Sequence, residues 1–167
     1  YQQYDSDSNK CQMWRAGSNI SFHANASGTH RILCVTPTDS VTISTWQHVA
    51  VVAFNKTVKI FIDGVSQTLS ITLGANPYSG AMPNVASVLG IGGNGNEYTQ
   101  WQGYLDEVRV SKGVARYHSN FTVATEPFSN ATLGSDSSGN NNDFTPVNIG
   151  ITDVLVDTPS NNFGTIN

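Results

Sequence analysis

An all-β fold built from antiparallel hairpins is what this sequence predicts, and three observations carry that expectation. Short runs alternate apolar and polar side chains at the two-residue period of a strand. Gly, Asn and Asp punctuate those runs at hairpin spacing. Only 12% of the 167 residues are charged, against roughly 25% in ordinary soluble proteins. Asn, Ser, Thr and Gly fill the gap, and they suit turns, exposed strand faces and hydrogen-bonding surfaces.

The elements follow in order. KCQMWR and NISFHA are alternating runs separated by Ala-Gly-Ser, a hairpin, and THRILCV supplies the next strand before TPTDS breaks the chain. WQHVAVVAF (46–54) is the longest apolar run, and its β-branched content predicts a buried strand. Asn55-Lys56 turns the chain into TVKIFIDG, where Val58, Ile60 and Ile62 share one face and Lys59, Phe61 and Asp63 the other. Asp63-Gly64 suits a turn at positive φ, with VSQTLSITL as the single returning strand. GANPYSGAMPN (74–84) is a loop, and ASVLGIGG a strand whose glycines admit close neighbours. After the polar loop NGNEYTQ, WQGYLDEVRV reads as the last strong strand. There Leu105 has odd parity and Val108 and Val110 even parity, so a bulge or kink is expected at Asp106-Glu107. SKGVARYHSNF is the one plausible helical turn. From Pro127 onward Ser, Asn, Asp and Gly dominate, which reads as a linker or extended arm. Its apolar residues Phe144, Val147, Ile149, Val154, Leu155 and Val156 suit docking on a neighbour as an added strand.

Several function classes drop out. The net charge is -4, and the eight basic residues form no stripe, which argues against nucleic acid as a partner. No apolar run approaches the ~20 residues of a membrane-spanning helix, so membrane insertion is not expected. The opening YQQYDSDSNK is neither an initiator Met nor a signal peptide, which reads as part of something longer. Cys11 and Cys34, on the first and third strands of a meander, would lie ~10 Å apart, too far to bond. A bridge and a pair of buried free thiols both stay open.

Four stretches then carry a resemblance. W-Q-H-V-A-V-V, V-K-I-F-I-D-G, L-G-I-G-G and W-Q-G-Y-L-D-E-V-R-V-S-K-G-V-A-R-Y resemble, in order and spacing, the laminin-G-like jelly roll of the concanavalin A-like lectin/glucanase superfamily, over about residues 10 to 128. The finish, S-G-N-N-N-D-F-T-P-V-N and D-T-P-S-N-N-F-G-T-I-N, looks like a segment that follows such domains in bacteriophage virion and tail-fibre proteins. The resemblance implies an antiparallel β-sandwich over 1–128 and a C-terminal arm over 129–167. It also implies a non-enzymatic virion-surface or extracellular module, part of a larger assembly, that binds host glycans or other virion proteins. Two alternatives are a secreted or cell-surface lectin of cellular origin and a structural virion protein without a ligand. The family's aromatic opening pattern, F-T-I-E-x-W, is absent, so the sandwich is expected to lack one or two N-terminal strands or to borrow them.

The superfamily includes glycosidases, which need two carboxylates about 5–5.5 Å apart for retention. Neighbours on a strand, such as Asp106 and Glu107, point to opposite faces. The glutamates are only three, Glu97, Glu107 and Glu126, with no alternating acid motif. Catalytic residues are therefore not expected. Histidines and cysteines fall on separate runs without a nucleophile signature. Sugar binding calls for Asn, Asp and Gly loop groups beside aromatic faces, which Tyr78, Asn94, Asn96, Tyr98 and Trp101 offer. For calcium, Asp106 is the best single ligand candidate, against a role accepting backbone N–H bonds at the kink. Structural roles are expected for Trp46 (core or rim), His48 (strand entry), Asp63 (turn) and Glu107, paired with Arg109 or Arg116.

Overall fold

The computed structural model describes residues 1–93 and 100–125. Its strands are β1 (Gln2–Ser6), β2 (Asn9–Ala16), β3 (Asn19–Ala26), β4 (Thr29–Val35), β5 (Val49–Phe54), β6 (Thr57–Ile62), β7 (Val65–Ser66), β8 (Ser70–Gly74) and β9 (Leu89–Gly90). All pairings are antiparallel. One sheet has six strands in the order β8-β4-β3-β2-β1-β9, and the other three in the order β5-β6-β7. The chain is an all-β antiparallel sandwich, as the hairpin pattern and the resemblance both imply. One compact unit comprises Tyr1–Asp106 and Ser111–Val123, while Glu107–Val110 group with the residues from Ala124 onward. The predicted arm, 129–167, lies outside the described residues.

Turn chemistry sets the register. Ser27-Gly28, Asn55-Lys56 and Asp63-Gly64 each place two successive residues at positive φ. That is the two-residue turn whose twist matches the flanking strands. The cost is smallest at Gly64, where an added Cβ would also overlap the Phe121 carbonyl oxygen. With the turns fixed, even positions of β3 and β4 (Ile20, Phe22, Ala24, Ile32, Cys34) face even positions of β6 (Val58, Ile60, Ile62) across the core. Leu or Ile to Ala changes in such positions cost about 2–5 kcal/mol, so this layer carries much of the stability.

The three-stranded sheet is also covered on its outer face. Phe61, fully buried, points away from the core toward Tyr117 and Phe121, whose rings stack 3.6 Å apart at 7°. Phe121 N donates to Gly64 O (3.0 Å), Ser66 N to Asn120 Oδ1 (2.9 Å), and Lys59 Nζ to His118 O (2.7 Å). The stretch 117–121 is therefore an aromatic strap. Where β6 lacks a neighbour, Asn76 stands in: its Oδ1 accepts from Val58 N (2.8 Å) and its Nδ2 donates to Val58 O (2.9 Å).

The structure corrects several expectations. VSQTLSITL is not one strand: β7 pairs with β6, and β8 crosses to pair with β4 in the other sheet. WQHVAVVAF is a strand only from Val49, and it is half-buried, because one of its faces is outer surface. WQGYLDEVRV forms no strand and is exposed throughout, and no helix forms in SKGVARYHSNF. The kink expected at Asp106-Glu107 is present as a positive φ of 50° at Glu107. An unexpected strand, β1, occupies the polar opening and pairs with β2 and β9. Both thiols are free, and burial pushes that of Cys34 up to about 11.

Candidate functional site

Three strands of a meander place their odd and even residues alternately on the core and on the outer face. On β2 the outer residues are Lys10, Gln12 and Trp14, and they stand opposite Asn25, His23 and Ser21 of β3. Tyr4 and Gln2 of β1 flank Lys10 and Gln12 on one side, while Leu33 and Val35 of β4 flank His23 and Ser21 on the other. The outer face is thus polar and aromatic over β1, β2 and β3, with Leu33 and Val35 of β4 as an apolar border, while the inner face is apolar.

The middle of that face is a strip of little-exposed polar side chains. Ser21, His23 and Asn25 are buried although they point away from the core, whereas Trp14 (40% exposed) and Tyr4 (41%) rise beside them. Lys10 faces Tyr4, and Trp14 lies four residues along β2, so the two aromatics are about 13 Å apart along the strand direction. Lys10 Nζ sits 5.7 Å over the Tyr4 ring and pairs with Asp7 at 2.8 Å, which neutralises its charge locally. Hydrogen bonding to Lys10 in turn holds the Asp7 carboxyl below its usual value.

Two imidazoles share one hydrogen bond at the end of this strip. His23 Nε2 and His30 Nδ1 are 2.9 Å apart, with rings stacked at 5.1 Å. Burial, reinforced by the nearby Lys10 and His30, lowers the His23 pKa to about 4, with Asp7 opposing. Asn25 Nδ2 donates to Asp7 O (2.7 Å), but its Oδ1 is buried without a partner among the described residues. A buried acceptor left unpaired costs about 1–3 kcal/mol, and a ligand hydroxyl or a water would recover it.

The sequence-predicted residues are not brought together. Tyr78 is a correction: it is buried in the core cluster, its N donates to Lys56 O (2.8 Å), and Lys56 Nζ lies 5.6 Å over its ring. A ring that fills the core offers no open face to a sugar. Asn94, Asn96 and Tyr98 lie outside the described residues. Trp101 is partly exposed, anchored by its N to Gly92 O (2.7 Å). Asp106 is exposed, and among the described residues no group of three His, Cys, Asp or Glu side chains could hold a metal ion.

The structural set sits as follows. Trp46 is a rim residue rather than a core one, 68% exposed, with its ring 6.4 Å from that of Tyr104. His48 immediately precedes β5: its N donates to Asp63 Oδ1 and its carbonyl accepts from Asp63 N, both at 2.8 Å. Its ring lies edge-on to Tyr117 and Phe121, and burial lowers its pKa. Asp63 Oδ2 also accepts from Gln47 Nε2 (3.1 Å), and Gln47 Oε1 from Thr42 N (2.7 Å), which ties down the loop bearing Trp46. Arg116 Nε donates to Ser111 Oγ (2.8 Å). Glu107 and Arg109 are exposed, and each is engaged by a neighbour.

Sequence reasoning missed the strip. Its signal was the even-numbered Lys10, Gln12 and Trp14 of β2 with the odd-numbered Ser21, His23 and Asn25 of β3, each set off the core parity of its own strand. A laminin-G family model, described as the concanavalin A-like lectin/glucanases superfamily, matches residues 1–118. No curated protein and no solved structure matches significantly.

Proposed function

The chain belongs to the concanavalin A-like lectin/glucanase superfamily, and from that premise we propose that it is a non-enzymatic carbohydrate-binding module. Its ligand surface is the outer face of the six-stranded sheet. One observation carries this reading: a strip of hydrogen-bonding side chains on the outer face, Ser21, His23 and Asn25, lies beside two half-exposed aromatics, Trp14 and Tyr4. Aromatic faces take the apolar side of a pyranose, while fixed amide and imidazole groups read its hydroxyls. Asn25 Oδ1, without a partner among the described residues, supplies an acceptor already desolvated.

A binding role rather than a catalytic one is supported by the acids. Asp5, Asp7, Asp39, Asp63, Asp106 and Glu107, the carboxylates among the described residues, are all exposed. A glycosidase acid needs a raised pKa, which burial usually provides. The setting we propose is the surface of a bacteriophage particle, as a tail-fibre or capsid-decoration module, on the strength of the Ser/Asn-rich finish quoted above. Glycans of native material, seen as added intact mass, would instead assign it to a cellular secreted lectin.

The test is a glycan array followed by titration of the best neutral ligand. Trp14→Ala should weaken binding at least tenfold, Trp46→Ala at the rim should leave it unchanged, and EDTA should have no effect. A blank array would leave a ligand-free structural role, and equal losses in the two variants would move the site off this face. Loss in EDTA would return Asp106 to the centre of the question as a calcium ligand.

A further inference from the structure

The opposite side of the sandwich carries a concavity. On the outer face of the three-stranded sheet, a cleft of about 200 Å³ opens between the β5–β6 hairpin and the start of the strap. Phe54 and His118 form one wall, their rings edge-to-face at 4.5 Å, and Tyr117 lies beside them. Thr57 and Lys59, which share the outer face of β6, provide hydroxyl and ammonium groups, and Asn55 reaches in from the turn. Among the described residues, the charge here is not neutralised as it is in the strip. Lys59 Nζ donates to a neutral partner, His118 O, whereas Lys10 on the other face is paired with Asp7. An ammonium has three donors, so two remain for a ligand.

We propose that this cleft takes a carboxylated pyranose, an acidic sugar unit of a glycan. The ring would pack its apolar face on Phe54 and Tyr117 and its carboxylate on Lys59, with Asn55 and Thr57 reading its hydroxyls. The three features that select such a ligand over a neutral sugar or an apolar side chain are aromatic walls, a lysine with no carboxylate partner among the described residues, and flanking hydroxyl and amide groups. A charge-assisted hydrogen bond in a partly desolvated cleft discriminates more strongly than a neutral one. The inference takes from the preceding proposal only that the ligand is a sugar, and it places that sugar at a different surface.

The experiment titrates the full chain with an oligosaccharide ending in a uronic acid and with its carboxyl-reduced neutral counterpart, at low and high salt. The wild type should prefer the acid about tenfold at low salt, with the preference shrinking as salt rises. Lys59→Met should abolish the preference and Lys59→Arg retain it, while Phe54→Ala should weaken both ligands at this site without touching the lysine. Trp14→Ala should leave the preference intact, which separates this site from the strip. Absence of a preference in the wild type, its survival in Lys59→Met, or its loss in Trp14→Ala would each overturn the proposal.

Discussion

Acid should loosen the six-stranded sheet through His23. The imidazole is held neutral in the fold, with a pKa of about 4 against an ordinary value of 6.5. Burial disfavours a second proton most, and Lys10 on β2 and His30 at 2.9 Å on β4 add to it, while Asp7 from the β1–β2 turn acts in its favour. Because the folded value is depressed, the unfolded chain binds more protons between these two values. Stability is therefore complete above about pH 6.5 and declines as pH falls toward 4. At about pH 4.5 the full shift corresponds to about 2.6 kcal/mol. Solvent reaching the pair past the exposed His30 screens the charge, so about half of that, ~1.3 kcal/mol, is the working figure. Urea unfolding followed by tryptophan fluorescence at about pH 7 and 4.5 reads it directly, with His23→Gln as the control. The wild type should lose ~1.3 kcal/mol over that interval and the variant much less. Parallel losses in the two proteins would refute the assignment to His23.

Two further outcomes follow from groups described above. Asn76→Ala removes both hydrogen bonds to the Val58 backbone and should cost about 1–3 kcal/mol in urea unfolding, while a loss below ~0.3 kcal/mol would mean that water substitutes freely there. Cys34, fully buried with its thiol pushed up to about 11, should resist a thiol reagent at neutral pH until the chain is denatured, and an intact mass should show both cysteines reduced; rapid labelling in the native state would contradict its placement.

The hairpin strands were legible because period-2 alternation and turn chemistry agree there. NISFHA, THRILCV and TVKIFIDG each fall on a strand within two residues of the expected bounds, and the two faces of β6 sort as the parity requires. The crossing between sheets was not legible. Val65, Gln67, Leu69, Ile71 and Leu73 keep one parity through VSQTLSITL, and parity does not say which sheet a residue pairs with. YQQYDS hid β1 because a strand whose outer side is a polar surface carries no apolar signature. WQGYLDEVRV misled in the other direction: its apolar residues are exposed, and a positive φ at Glu107 breaks the ladder conformation. The strip was half legible. The off-core parity of Gln12, Trp14 and His23 can be read from the chain, but the burial of Ser21, His23 and Asn25 depends on neighbours from other strands.

The crossing has a consequence for how one pairing is chosen over its competitors. Only Gln67, Thr68 and Leu69 separate β7 from β8, so an error in one ladder cannot be absorbed before the next begins. A one-residue slip of β7 along β6 would carry β8 along β4 by the same step and turn its side chains to the wrong face. Each sheet therefore proofreads the other through three residues. The polar outer surfaces, which by themselves would tolerate several alignments, inherit a single register from the buried ones.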